Sequence, residues 1–153
     1  MDEKPSEVTF KTIGVVRNRV QLARGARHDR EQVVSVILVD PGLAEAMEGL
    51  EGFSHIIVLY WMHQVASRGK PPMKVHPRNI QENPLVGVFA SRSPHRPNSI
   101  GKATVRLLSR EGNILRVKGL DAIDGTPVLD IKPYIPGYDS VRGARVPPWS
   151  KHQ

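Results

Sequence analysis

The sequence predicts a mainly β protein: a small closed or partly open β-barrel of six to seven strands, with one short helix and an extended C-terminal tail. Three observations carry this expectation. Short runs rich in valine and isoleucine recur along the chain, separated by turn-forming residues. Only one stretch carries both a helix start and a helix stop. No Gly-x-Gly-x-x-Gly follows a strand and no βαβ alternation appears, which argues against a Rossmann-type cofactor domain.

The elements follow in order. Val8–Val16 reads as the first strand, with Phe10 ahead of a β-branched run, and Gln32–Val39 as the second. Asp40-Pro41 then starts a helix over about Pro41 to Glu48, with Asp at the N-cap, Pro at the first helical position and Gly49 as the stop. Phe53–Met62 is apolar at nearly every position and reads as a central strand buried on both faces. Residues 68–84, rich in Pro, Asn and charge, form a long exposed loop, and Leu85–Ala90 another short buried strand. Lys102–Leu108 alternates, with Val105 and Leu107 opposite Thr104 and Arg106. The turn at Glu111-Gly112-Asn113 returns the chain as Ile114–Leu120, its hairpin partner. Pro127–Ile131 makes the last strand, and the tail beyond Pro136 is rich in Gly and Pro. With 153 residues, one domain over 1–153 is expected, its core at about 8–138 and its tail at 139–153.

Charge narrows the partner class. Lys plus Arg number 22 against 15 Asp plus Glu, a net +7, which favours an anionic partner. The distribution says more than the total. Residues 63–106 carry eight basic side chains and one acid, Glu82; residues 11–30 carry six bases and only Asp29; residues 31–62 carry five acids and no Lys or Arg. Basic segments split by an acidic one suggest a basic face suited to phosphate. Aromatic residues are too sparse for a stacking platform. The absence of cysteine excludes disulfides, thiolate zinc sites and any cysteine nucleophile. The longest apolar run, Ile56 to Met62, is too short to span a bilayer. With no signal-like N-terminus, a cytoplasmic protein without a membrane partner is expected.

Four segments hold polar residues that a bare barrel does not need. The first is Ser91-Arg92-Ser93-Pro94-His95-Arg96-Pro97-Asn98-Ser99-Ile100-Gly101, where two prolines stiffen the loop and two guanidinium groups match carboxylate or phosphate forks. A rigid connection with solvated arginines is the plainer alternative. The second is Asp121-Ala122-Ile123-Asp124-Gly125-Thr126-Pro127, followed by Asp130 and Lys132-Pro133-Tyr134. An Asp-Gly turn is ordinary hairpin chemistry, yet Asp124 and Asp121 are the carboxylates best placed to face a cationic ligand or take a proton. The third is His63-Gln64 at the exit of the central strand. His55 lies eight residues earlier on the same strand face, but no third ligand stands at a recognisable spacing, so no metal is expected. The fourth is the polar stretch from Arg24 to Asp29.

On these residues the chain resembles the family of tRNA adenine N6-methyltransferases called TrmO, built on a small TsaA-like barrel. The matching stretches are Phe10–Val16, Gly49–Val58, Gly87–Gly101 and Leu120–Tyr134. The arginine-proline-asparagine loop together with the DGTPV–DIKPY stretch is the specific part. The resemblance implies a β-barrel that binds S-adenosylmethionine without a Rossmann sheet, and a homodimer with the cofactor near the subunit interface. It implies as substrate the threonylcarbamoyl-modified adenosine at tRNA position 37. It places Arg24, His63, Gln64, Arg92, Asp124 and Gly125 in the cofactor pocket. Two departures stand out: Ala23 and Gly25 flank Arg24 where the family carries Pro-Arg-Gln, and Ser99 stands where a proline is usual.

Sulfonium methyl transfer is an in-line displacement that needs neither metal nor covalent intermediate, which agrees with a cysteine-free chain. Asp124, or Asp121 in its place, is the candidate catalytic base, and Arg68, Lys70, Lys74 and Arg96 are the candidate phosphate contacts. A non-catalytic basic RNA-binding β-barrel is the alternative that the charge pattern supports equally, and a histidine-based metallohydrolase is a third.

Overall fold

The computed structural model describes residues 4, 6–20, 31–66 and 68–151. Six strands close into a barrel: β1 (Gly14–Arg17), β2 (Val34–Val39), β3 (His55–Trp61), β6 (Ile100–Glu111), β7 (Ile114–Lys118) and β8 (Pro127–Pro133). Their order around the ring is β1-β2-β7-β6-β3-β8, with β8 returning to β1, and every neighbouring pair is antiparallel. Two register shifts, at Leu59/Tyr60 between β3 and β8 and at Leu107/Ser109 between β6 and β7, supply the local bends that closing so small a ring requires.

The core follows from alternation. Val16, Ile37, Ile56, Val58, Val105, Leu115, Val117 and Val128 point inward and are essentially inaccessible. Each contributes about 1.5–3 kcal/mol by leaving water. Ile57 is also buried, so β3 presents the consecutive buried residues Ile56-Ile57-Val58 that its unbroken apolar pattern predicts. On β6, Val105 and Leu107 turn inward while Thr104 and Arg106 are exposed, as expected.

Three elements depart from expectation. The first strand is shorter than Val8–Val16. Its last rungs are Asp40 N–H to Ile13 O at 2.8 Å and Ile13 N–H to Val128 O at 2.9 Å. Beyond them Asp40-Pro41 carries the neighbouring strand away, so residues 8–12 have no ladder to join, and Val8 and Phe10 lie exposed. The helix after β2 is a 3-10 helix, Pro41–Met47, though its cap is the expected one: the Asp40 side chain accepts from Gly42 N–H at 2.9 Å. Leu85–Ala90 is not a buried strand. Only Val86–Gly87 (β5) pairs, with Lys74–Val75 (β4), in a separate two-stranded ribbon. Val88 alone is buried there, while Leu85 and Phe89 are exposed. The six barrel strands satisfy one another all round the ring, leaving no edge for a seventh.

After β8 the chain makes a helical turn, Pro136–Asp139, which Asp139 Oδ2 closes by accepting from Ile135 N–H at 2.7 Å. It then runs exposed to a 3-10 turn at Pro148–Ser150. Among the described residues no helix is long and apolar enough to cross a membrane.

Candidate functional site at one mouth of the barrel

Antiparallel register decides which loops meet. At one end lie the exits of β1, β3 and β7 and the entries of β2, β6 and β8. The residues after Arg17, the His63-Gln64 pair, the arginine loop before Ile100 and the Asp121–Thr126 turn therefore share one mouth. Hydrogen bonds join them into one wall. Met62 N–H donates to Ser99 O at 2.8 Å, tying the exit of β3 to the arginine loop. The Tyr60 hydroxyl donates to Asp121 O at 2.7 Å, tying β3 to the aspartate turn.

Tyr60 reaches that carbonyl because its partner across the sheet is Gly101. A Cβ at Gly101 would overlap the phenol ring, so only glycine lets the ring lie flat against β6 inside the wall.

The aspartate turn is pinned from β1. Asn18 Nδ2 donates to Ala122 O at 2.8 Å and to Ser35 Oγ at 3.0 Å, while its Oδ1 accepts from Val20 N–H at 2.9 Å. Its own backbone N–H donates to Asp124 Oδ1 at 3.1 Å. Arg17 Nη1 lies 4.0 Å from the same oxygen, with both side chains about half exposed, a separation worth little in water. Asp124 N–H in turn donates to Val20 O at 2.6 Å, and Gly125 N–H to Val16 O at 2.8 Å. Gly125 has φ +83°, the left-handed region that this turn demands. Asp124 is thus a partly committed carboxylate at the lip, and Asp121 stands exposed beside it.

His63 begins a helical turn, His63–Ala66. Its Nδ1 is buried with no hydrogen-bond partner among the described residues, and its ring lies 6.1 Å from that of Trp61. A buried polar atom without a partner is costly and marks a place where a ligand or water completes the bonding. Gln64, its neighbour in the chain, and Arg92, on the arginine loop, are exposed. Arg96 is not a solvated charge: its Nη1 donates to Ser91 O and Ser93 O, each at 3.1 Å, closing the loop on itself. Arg68 and Lys70, on the chain leaving β3, line a small cavity with Arg96. Lys74 lies apart, on the β4–β5 ribbon.

Other expectations separate from the mouth. Arg24 lies outside the described residues. His55 and His63 cannot act together: His55 opens β3 and His63 lies beyond its far end, a strand length away at about 3.3 Å per residue, and His55 Nδ1 shares a 2.7 Å hydrogen bond with Ser54 Oγ beside Tyr134. Asp130 and Lys132 pair with each other at 2.7 Å on the outer wall, a hydrogen bond that raises the lysine's pKa. Asn18, Ser35 and Tyr60 were not singled out by sequence. Only Asn18, a turn-forming residue directly after a strand, carries a signal that could have marked it.

Basic side chains gather at the mouth, and a run of acids lies in one connection at the other end. Arg17, Arg19, Arg92, Arg96 and Lys118 stand at the mouth, against Asp121, Asp124 and Glu31. Asp40, Glu45, Glu48 and Glu51 belong to the connection at the far end. There Glu51 takes a two-point bond from Arg110, at 2.8 and 3.3 Å, which lowers the carboxyl's pKa.

Residues 17–140 match the family described as tRNA-methyltransferase O N-terminal domain. A probable S-adenosyl-L-methionine-binding protein of Archaeoglobus fulgidus is 42% identical over 141 residues, covering 91% of this chain and 37% of that protein. The tRNA (adenine(37)-N6)-methyltransferase of Escherichia coli is 36% identical over 156 residues, covering 91% and 63%. A crystal structure of TrmO from Pseudomonas aeruginosa superposes with a TM-score of 0.72 at 34% identity, covering 92% of this chain and 62% of that one. The chain thus spans from about a third to just under two thirds of the length of these relatives. The match over most of the sequence and the shared barrel agree, and the chain belongs to the tRNA-methyltransferase O N-terminal domain family.

Proposed function

We propose that the chain is the S-adenosylmethionine-dependent methyltransferase domain of a tRNA-modifying enzyme, acting on N6 of the threonylcarbamoyl-adenosine at tRNA position 37. The single domain would work in the cytoplasm as a homodimer, with the cofactor near the subunit interface. The observation that carries the reading is the joining of the His63, Arg92 and Asp124 segments at one basic mouth. Names borne by the relatives, S-adenosyl-L-methionine-binding protein and tRNA (adenine(37)-N6)-methyltransferase, support it.

The donor set fits this cofactor. His63 Nδ1, buried and without a hydrogen-bond partner among the described residues, offers a site for a polar group of the ligand, and Arg92 offers a fork for its carboxylate. Asp124 and Gly125 form a carboxylate-bearing lip beside a compact backbone turn. Bound there, S-adenosylmethionine supplies an electrophilic methyl group. The residues' task is then to hold acceptor and donor in line, an effect worth up to ~7–11 kcal/mol. Adenine N6 is a poor nucleophile, but its carbamoyl derivative has a urea-like N–H that is easier to deprotonate. Asp124 is the base in this reading. Its Oδ1 is engaged by Asn18 N–H, leaving Oδ2 to take the proton, with an expected gain of about 10²–10⁴-fold. Asp121 is the alternative base.

The test is incubation of the protein with labelled S-adenosylmethionine and total tRNA, followed by nucleoside mass spectrometry. Label in a methylated threonylcarbamoyl-adenosine is the expected result. RNA binding without methyl transfer, and without heat on titrating S-adenosylmethionine, would replace this reading with that of a non-catalytic RNA-binding barrel.

A further inference from the structure

A small cavity opens between the chain leaving β3 and the arginine loop, lined by Arg68, Lys70, His95, Arg96 and Ser99 among others. We propose that it seats one phosphodiester of the RNA strand, held jointly by Arg68, Lys70 and Arg96. This rests on the reading that the protein's substrate is RNA, and it deepens that reading by naming where the backbone is gripped.

Size, charge and rigidity support the assignment. The cavity is small, about 90 Å³, of a size to seat a phosphate group. None of its lining residues is a carboxylate, and neither Arg68 nor Lys70 makes an ion pair among the described residues. Arg96 is fixed in advance. Both hydrogens of Nη1 are spent on Ser91 O and Ser93 O, so its remaining N–H donors, on Nε and Nη2, are carried on a guanidinium whose plane is already set. Such a group loses little entropy on binding and offers the two-point geometry that phosphate oxygens accept. The wall behind it is stiff: Ser99 is buried and its hydroxyl donates to Pro94 O at 3.1 Å. Facing it, Arg68 and Lys70 are exposed and add charge without geometry.

One shared seat makes a numerical prediction that separate contacts do not. The log-log salt slope of RNA binding counts phosphates neutralised, at about 0.9 per phosphate on duplex. Arg68→Ala and Lys70→Ala, both on exposed side chains, are each expected to weaken tRNA binding by the full-length protein. The double variant is expected to flatten the slope by about one unit in all, whereas contacts to two different phosphates would remove about two. Inorganic phosphate shares the ligand chemistry, so it forms the second arm. Titrated alone, it is expected to shift the Arg96 Nε–H resonance in the parent protein and not in the double variant.

A two-unit loss, or an unchanged slope, overturns the shared seat. A phosphate-dependent Arg96 shift with an unchanged tRNA slope also overturns it, leaving a site for free anions. If the parent protein methylates tRNA while the double variant keeps its slope, the seat fails and the methyltransferase reading stands. Absence of both tRNA binding and methyl transfer in the parent sinks the two together.

Discussion

Replacing Asn18 by alanine is expected to unlock the barrel mouth. The side chain makes three hydrogen bonds, to Ser35 Oγ, Ala122 O and Val20 N–H, each worth about 0.5–1.5 kcal/mol net. Ser35 is fully buried and Ala122 nearly so, so their polar atoms cannot turn to water for replacement partners. The bonds share one residue and will not add strictly, which puts the expected loss at about 2 kcal/mol or more. For a chain of this length that corresponds to roughly 4–8 °C in Tm. The assay is urea unfolding, where the midpoint should fall with the m-value unchanged, combined with amide exchange at Gly125, whose N–H bonds Val16 O. Asn18→Asp is the control. It keeps the acceptor for Val20 N–H but loses both donor bonds, and it places a second carboxylate beside Asp124, so it should be no milder than alanine. A loss below about 0.5 kcal/mol, with Gly125 protection intact, would refute the claim that Asn18 holds the aspartate turn in place.

Gly101→Ala should cost about 1–3 kcal/mol by driving a methyl group into the Tyr60 ring. Tyr60→Phe alone should cost about 1 kcal/mol by removing the bond to Asp121 O, and thermal melts of the double variant should show less than the sum, since both changes act on the same ring. Asp124→Asn keeps an oxygen to accept from Asn18 N–H, so folding should survive while turnover falls about 10²–10⁴-fold and tRNA affinity changes little; unchanged turnover in the methyl-transfer assay removes Asp124 as the base. Glu51 should titrate below the ordinary carboxylate range because Arg110 holds its charged form. Stability from that pair is full above the glutamate's unfolded pKa and fades as pH falls through the lower folded value; a carboxyl carbon NMR titration that leaves Glu51 at its ordinary value would contradict the pairing.

Much of this architecture is legible in the residue pattern, because a closed barrel imposes a strict inside-outside alternation. The hairpin β6–β7 and the strands β2, β3 and β8 follow from it within a few residues. The misreadings share a cause. Val8 and Phe10 look like strand, and so does the run from Leu85 to Ala90, but apolar pattern says nothing about whether a hydrogen-bonding neighbour exists. That depends on where Asp40-Pro41 turns the adjacent strand away and on the ring being already complete. At the mouth, sequence pointed to the polar loops because prolines and charges cluster there. It did not show that Arg96 spends Nη1 on the loop's own carbonyls, or that Asn18 bridges β1 to the aspartate turn. Those contacts join residues more than a hundred positions apart in Asn18's case, and no local spacing encodes them. The His55–His63 pairing was testable from strand rise alone, since facing the same way along a strand does not bring two side chains near each other.

The gathering of bases at the mouth and of acids in the connection over residues 40–51 acts before contact. A polyanion arriving broadside experiences a torque, because the basic mouth attracts it more strongly than the end that carries the acidic connection, over a range set by the ~8 Å screening length of physiological salt. Encounters are thereby biased toward mouth-first collisions, and fewer rotational trials precede a productive one. The acidic connection around Glu45 and Glu48, at the end of the barrel away from the mouth, then has a kinetic role: neutralising those charges should lower the share of low-salt encounters that are mouth-first and leave dissociation alone.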